Sequence, residues 1–276
     1  MIVAVPTRRD DAAMASLTEH ELDEWAAALR GAADNARAIE PLTEQIPGLD
    51  VADAYAIAQR IIAARVRAGA RIVGRKIGLT SVAVQQQLGV DEPDYGALLD
   101  TMQFADGAAL EAARFVAPRV ELELAFHIAS ALTGPGVTAD DVRAATATVQ
   151  PSFELVDSRV IDWRIKLADT VADNASAAGF VLGGVAVALD EIDVTAVGAT
   201  LIQNGEVVET GDTSVVLGDP CAAVAWLANA LGAYGTSLEA GDIVLSGACT
   251  RMAPVSAGDR VTGDFGNLGT VSLELT

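Results

Sequence analysis

Histidine and cysteine are nearly absent from this chain, with two of each in 276 residues. Cys221 and Cys249 have no paired spacing and sit in small, apolar surroundings, so they read as buried free thiols, not a disulfide or a zinc site. His20 falls in the exposed first turn of an expected helix, and His127, after the Glu-x-Glu strand, reads first as structural and second as a ligand or base. Positive charge is also scarce: 18 Lys and Arg stand against 38 Asp and Glu, a net charge of −20. That balance argues against nucleic acid and anionic membrane surfaces as partners, because both recruit Lys and Arg. Uncharged stretches such as 175–189 are broken by glycine and too short to span a bilayer. The first eleven residues hold no long apolar core of a secretory signal, so a cytoplasmic location is expected. A phosphate loop, a Gly-x-Ser-x-Gly elbow and a dinucleotide fingerprint are all missing, which argues against nucleotide, serine-hydrolase and Rossmann chemistry.

What is present is apolar and patterned. Half the residues (51%) are hydrophobic, enough for a sizeable core. Residues 1–70 read as a helical N-terminal region and 71–276 as a β-rich catalytic domain, an α+β arrangement. Thr18-Glu19-His20-Glu21 is a capping box ahead of Leu22, Trp25 and Leu29 on one helical face. Asp50 caps a second helix carrying Tyr55, Ile61, Ile62 and Val66 and stopping near Gly69, with 41–48 read as a turn-rich linker. Asn204-Gly205 between two apolar runs predicts a hairpin. Asp219 and Pro220 open a late helix that ends at Gly232, and strands are expected over 242–245, 259–262 and 271–273.

The chemistry-bearing residues begin with three glutamates. Pro118-Arg119-Val120-Glu121-Leu122-Glu123-Leu124-Ala125-Phe126 alternates with period two, placing Glu121 and Glu123 on one face of a strand. Glu154 follows 31 residues after Glu123 in similar apolar sequence. Two carboxylates about 4 Å apart repel by roughly 4 kcal/mol at an effective dielectric near 20. A divalent cation reverses that repulsion, and an all-oxygen set favours Mg²⁺, Mn²⁺ or Ca²⁺. From these residues alone, a solvent-facing edge strand is the simpler reading of Glu-x-Glu.

Other segments are weaker alone. Gly74-Arg75-Lys76-Ile77-Gly78-Leu79-Thr80-Ser81 sets one lysine between glycines, which reads first as a surface lysine and second as a group that steers an anion or moves a proton. Asp94 and Tyr95 stand in a turn, as an acid/base pair or as ordinary turn chemistry. Asp157-Ser158-Arg159 and Asp169-Thr170-Val171-Ala172-Asp173-Asn174-Ala175-Ser176 precede an apolar, Gly-rich run. That density of polar groups against apolar sequence reads either as a buried network lining a pocket or as loop capping.

Taken in order, these segments resemble the 2-keto-4-pentenoate hydratase (2-hydroxypenta-2,4-dienoate hydratase) family of the fumarylacetoacetate hydrolase superfamily, from about residue 40 to the C-terminus. The resemblance implies a mixed β-roll domain and a Mg²⁺ or Mn²⁺ ion held by Glu121, Glu123 and Glu154. It implies catalytic roles for Lys76 and Asp94, with Ser176 near the substrate carboxylate and Tyr95 and Arg75 as further substrate contacts. Arg75 is a departure, at a position where such hydratases usually carry an aromatic residue. The implied reaction is hydration of a 2-hydroxy-2,4-dienoate to a 4-hydroxy-2-oxo acid, in aromatic or steroid meta-cleavage catabolism, by a hydro-lyase.

The related 4-oxalocrotonate (2-oxo-3-hexenedioate) decarboxylases share the metal motif and remain an alternative. Gln87 to Gly96 and Asp162-Trp163-Arg164-Ile165-Lys166 look more like the hydratase branch. A non-catalytic partner subunit and a β-diketone hydrolase are further alternatives. The implied partners are a small anionic substrate, further copies of the chain in a homo-oligomer, and a downstream aldolase or paralogous decarboxylase.

Overall fold

The computed structural model describes residues 17–81, 85, 90 and 92–276. The first fifteen residues, and Gln87, Leu88, Gly89 and Asp91 of the hydratase-like motif, lie outside the described residues.

The chain begins with helices whose starts the sequence encodes. α1 (Glu19–Asp34) opens on the expected capping box: Glu21 N donates to Thr18 Oγ1, and Thr18 N donates to Glu21 Oε2. Its buried residues Leu22, Ala26, Leu29 and Ala32 recur every three or four positions. α2 (Leu42–Gln45) is a short helix inside the stretch read as a linker. α3 (Val51–Arg67) is capped by Asp50, whose carboxylate accepts from Asp53 N at 2.8 Å.

Fourteen strands follow among the described residues. They are β1 (Ile72–Gly78), β2 (Asp94–Leu99), β3 (Gln103–Phe104), β4 (Ala108–Leu110), β5 (Arg119–Ile128), β6 (Thr146–Val156), β7 (Ala177–Leu182), β8 (Val187–Ala188), β9 (Gly198–Gln203), β10 (Glu206–Asp212), β11 (Ile243–Leu245), β12 (Ala253–Pro254), β13 (Arg260–Asp264) and β14 (Thr270–Leu275). One sheet runs β2-β1-β11-β5-β6-β7-β3, with β12 on β5 and β8 on β6. The other runs β10-β9-β13-β14-β4. The pairs β1–β11, β3–β7 and β4–β14 are parallel and the rest antiparallel, so the sheets are mixed. Asn204 and Gly205, at φ 55° and 88°, turn β9 into β10 as a primed hairpin requires.

Period-two alternation divides β5 between two environments. Val120, Leu122, Leu124 and Phe126 enter a core shared with Phe153 of β6, Leu201 of β9 and Val271 of β14. Burying each such side chain contributes about 1.5–3 kcal/mol. Glu121, Glu123 and Ala125 face the other way. On that side Ala125 packs with Leu98, Phe180 and Leu245. Helix Leu167–Ala172 packs there against β2 and, with α1–α3, closes a second core of Leu29, Leu42, Ile57, Ala168 and Val171.

The stretch Thr213–Gly232 is apolar and long enough to match a membrane span by composition, which the sequence reading passed over. Its helix is only Pro220–Gly232, 13 residues or about 20 Å, short of the ~30 Å hydrocarbon layer. It is capped by Asp219, as expected, and its Cys221, Val224 and Leu227 are fully buried.

Candidate active site

Strand register assembles the carboxylates. In the β5–β6 ladder Glu121 pairs with Glu154 and Glu123 with Ser152. Cross-strand partners share a face, so all three glutamates point to one side of the sheet. One carboxylate oxygen from each lies within 4.8 Å of the others. Glu123 and Glu154 are 0% exposed, while Glu121 is partly exposed. The solvent-facing edge reading is therefore corrected: β5 is an interior strand with both faces covered.

Among the described residues, nothing satisfies Glu123 and Glu154 fully. Glu123 Oε2 accepts from Gly247 N at 2.7 Å, but Glu123 Oε1 and both Glu154 oxygens have no hydrogen-bond partner. A buried polar atom left this way costs about 1–3 kcal/mol, more when charged. Burial, then mutual repulsion, holds the Glu123 carboxyl well above the usual range, and burial pushes Glu154 up to about 7. Glu121 is also raised, chiefly by burial. Clustered carboxylate oxygens left so poorly partnered suit a hard divalent cation, so the donor set fits the metal that the resemblance implies.

Lys76 and Asp94 complete the cluster. Lys76 Nζ sits 3.2 Å from Glu154 Oε2 and is 3% exposed, which corrects its reading as a surface lysine. Glu154 Oε2 thus gains an ion pair without an aligned hydrogen bond. Burial pushes the Lys76 ammonium down, but Glu154, Asp94, Glu121 and Glu123 more than offset it, and the group is held above its ordinary value. Asp94 begins β2 directly opposite Gly78, so its reading as a turn residue is corrected too. Burial raises the Asp94 carboxyl, with Lys76 and the nearby Thr170 hydroxyl opposing, and its Oδ1 has no hydrogen-bond partner among the described residues. Gly78 makes this approach possible. A Cβ there would lie 2.2 Å from Asp94 Oδ1 and 3.2 Å from Lys76 Nζ.

Ser176 lies on an unusual turn. Asn174, Ala175 and Ser176 all adopt left-handed backbone, at φ 54°, 51° and 55°. Each such residue costs roughly 1–2 kcal/mol when it is not glycine. Side chains hold the turn in place. Asn174 Oδ1 accepts from Ala97 N at 2.8 Å, and its Nδ2 donates to Ala97 O at 3.0 Å. Arg159, 6% exposed, donates through Nε to Asp173 Oδ1 at 2.6 Å, and through Nη2 to Asp173 O and Nη1 to Ala177 O. Burial still lifts Asp173 to about 6 against the pull of Arg159. Asp157 accepts from Val116 N and Ala117 N. Both readings of this segment are found: its polar groups form a buried network, and Asp169 also caps helix Leu167–Ala172 by accepting from Lys166 N.

Two expected contacts are not brought to this face. Arg75 alternates to the opposite side of β1 from Lys76, where it lies beside Tyr95 and Asp242 and donates to Gly74 O. Tyr95 likewise points away from Asp94; it stacks on Tyr55 at 4.6 Å and meets the edge of Trp226 at 6.3 Å. His127 stands four residues along β5 from Glu123, about 13 Å away, and its Nε2 contacts Gln150 Oε1 at 2.7 Å. His20 is exposed beside Glu24, and both cysteines are buried and free. A cleft of about 400 Å³ opens between α1, α3 and the back of the 173–177 turn, away from the glutamates.

Sequence reasoning missed three contributors. Tyr55 read only as a helix-face residue, yet its phenol is raised first by burial and then by the nearby Asp94. Thr170 was visible only as part of a polar run. The Gly247 amide carried no signal, because backbone donors have none.

Comparison with known proteins agrees with this architecture. Residues 71–276 match the family described as fumarylacetoacetate (FAA) hydrolase C-terminal. A 2-hydroxyhexa-2,4-dienoate hydratase of Comamonas testosteroni is 46% identical over 244 residues, 88% of this chain and 92% of that one. A 2-keto-4-pentenoate hydratase of Burkholderia vietnamiensis is 45% identical over 258 residues, 94% and 98% of the two chains. Among solved structures, a 4-oxalocrotonate decarboxylase from Pseudomonas putida G7 complexed with magnesium and adipate superposes with a TM-score of 0.92 at 36% identity, covering 94% of this chain and 99% of that one. The chain belongs to the fumarylacetoacetate hydrolase family.

Proposed function

We propose that the protein is a divalent-metal-dependent hydro-lyase that hydrates a 2-hydroxy-2,4-dienoate to a 4-hydroxy-2-oxo acid, with Mg²⁺ or Mn²⁺ as its ion. One observation carries the reading: Glu121, Glu123, Glu154, Lys76 and Asp94 meet on one sheet face with unpartnered carboxylate oxygens turned inward. The hydratase relatives at 45–46% identity support the choice of reaction.

Glu121, Glu123 and Glu154 would hold the ion, which supplies charge stabilisation to the substrate's carboxylate and 2-oxygen. Lys76 stays protonated among carboxylates, so we assign it to binding the anionic end and not to removing a proton. Ser176 is assigned a hydrogen bond to the same carboxylate. Asp94, buried and with one free oxygen, is assigned the proton transfers. The atoms balance in two stages. The 2-hydroxyl loses a proton while C5 gains one, giving an unsaturated 2-oxo acid. Water then delivers hydroxide to C4 and a proton to C3.

Decarboxylation is the second reading, favoured by the structural likeness to the decarboxylase. A dicarboxylate needs a cation for its far end, and Arg75 lies on the wrong face of β1 to provide it. The test is ultraviolet absorbance of fresh 2-hydroxypenta-2,4-dienoate with the protein, with Mg²⁺ and with excess chelator. Metal-dependent loss of the dienol, with 4-hydroxy-2-oxopentanoate formed, supports hydration. No loss with metal, and carbon dioxide released from the six-carbon dicarboxylate instead, would replace it.

A further inference from the structure

The cleft behind the 173–177 turn lies between the helical N-terminal region and the β domain, and its volume of about 400 Å³ is in the range that holds a small ligand. Ile61 and Ile62 of α3 line one wall, and Phe104 and Phe115 line the other. Phe104 reaches its place because β7 carries Gly179, where a Cβ would lie 2.5 Å from Phe104 Cε2. Charged side chains share the lining: Arg30, Arg65, Arg114 and Arg159, with Asp34, Asp157 and Asp173.

Each of those acids is already engaged. Asp34 pairs with Arg65, Asp173 accepts from Arg159 Nε at 2.6 Å, and Asp157 accepts from the amides of Val116 and Ala117. Positive charge is left over. Arg30 and Arg114 have no carboxylate partner among the described residues, and the Arg114 guanidinium lies over the Phe104 ring, 5.8 Å from its centre. Arg159 is 6% exposed, and a guanidinium has five N–H donors. Its side-chain bonds to Asp173 Oδ1, Asp173 O, Asp157 O and Ala177 O leave one Nη2 hydrogen without an acceptor. A buried donor in that state is costly, and a ligand oxygen would relieve it. Surplus cations beside apolar walls, in a chain of net charge −20, define a ligand with one negative charge and an apolar body. We propose that this cleft is a second ligand site that takes a monocarboxylate with a compact apolar body. The carboxylate answers Arg30, Arg114 and the spare Arg159 hydrogen, and the body lies among Ile61, Ile62, Phe104 and Phe115. The site needs no metal and stands apart from the glutamates, so it does not depend on the hydratase reading.

The test is calorimetry with benzoate on the protein in excess chelator, which removes divalent ions as competing carriers of a carboxylate. Benzoate should bind. Acetate, which lacks the body, and benzyl alcohol, which lacks the charge, should each bind at least about tenfold more weakly. Arg30→Met and Arg114→Met keep an unbranched apolar stem and delete the cation. Each should weaken benzoate by about tenfold or more, the scale of one hydrogen bond to a charged group, with the melting temperature unchanged. Glu123→Gln, which alters the glutamate cluster, should leave benzoate affinity as it is. No binding to the wild type, or equal binding to the wild type and both arginine variants, overturns the proposal. Benzyl alcohol binding as tightly as benzoate overturns it too, and so does a loss of affinity confined to E123Q. Should R30M fold poorly, R114M carries the comparison, since Arg114 is exposed.

Discussion

Glu121 and Glu154 stand directly opposite each other across the β5–β6 ladder, two acids where a sheet ordinarily pairs apolar or oppositely charged side chains. Like charges so placed destabilise a sheet, and Lys76 offsets only part of the excess. The fold therefore carries an electrostatic deficit that a divalent cation would remove.

Removing one ligand should abolish that benefit with little harm to the fold. Glu123→Gln keeps the shape and deletes one of the mutually repelling charges. Turnover and Mg²⁺ affinity should each fall by more than ~100-fold, beyond the loss usual for a residue that only supports a ligand. The unfolding midpoint without metal should hold or rise. A variant that still binds Mg²⁺ like the wild type would remove Glu123 from the ligand set.

Metal and protons should compete. The Glu154 carboxyl is raised from 4.5 to about 7, so the folded metal-free protein binds a proton more tightly than the unfolded chain does. That contribution to stability is complete below about pH 4.5 and is lost as pH rises through about 7. Mg²⁺ prefers the ionised site, so its stabilisation grows over the same interval. Melting curves from pH 5 to pH 8, with and without Mg²⁺, should diverge as pH rises; a metal-induced shift largest at pH 5 would contradict this.

Lys76→Met leaves the buried carboxylates without their cation. Deleting one partner of a buried pair costs about 3–5 kcal/mol, read by chemical denaturation without metal. Saturating Mg²⁺ should recover much of that loss but not turnover, since the anionic end of the substrate would have lost its cation. Stability equal to wild type in chelator would show that the ion pair is not needed.

Gly78→Ala tests the close approach of Asp94. The added methyl would press on Asp94 Oδ1 and must push the carboxyl aside. Overpacking of this kind costs about 1–3 kcal/mol, yet kcat should fall far more than the melting temperature suggests. Unchanged kcat would mean that the Asp94 position is not critical.

The helices were legible because their ends carry local chemistry: Thr18 with Glu21, Asp50, and Asp219 with Pro220 all cap where the sequence places them. The hairpin at Asn204-Gly205 was legible for the same reason. Alternation put Glu121 and Glu123 on one face, but only pairing register could bring in Glu154, and register is not a local property. Lys76 and Asp94 were misread as surface and turn residues because burial depends on what packs above them. The left-handed run at Asn174–Ser176 had no sequence signal, since none of its residues is the glycine that such backbone favours.

The Asn174 side chain has one more consequence. β2 is the outermost strand of its sheet, and an outer strand offers free amide and carbonyl groups to any passing chain. The Asn174 carboxamide occupies both the N–H and the C=O of Ala97, much as a neighbouring strand would. The Asn174 side chain thus joins helix Leu167–Ala172 and the 174–176 turn in closing the strand that bears Asp94 to self-association. Asn174→Ala would reopen it, and light scattering on warming would report aggregation beginning below the temperature at which the wild-type protein begins to aggregate.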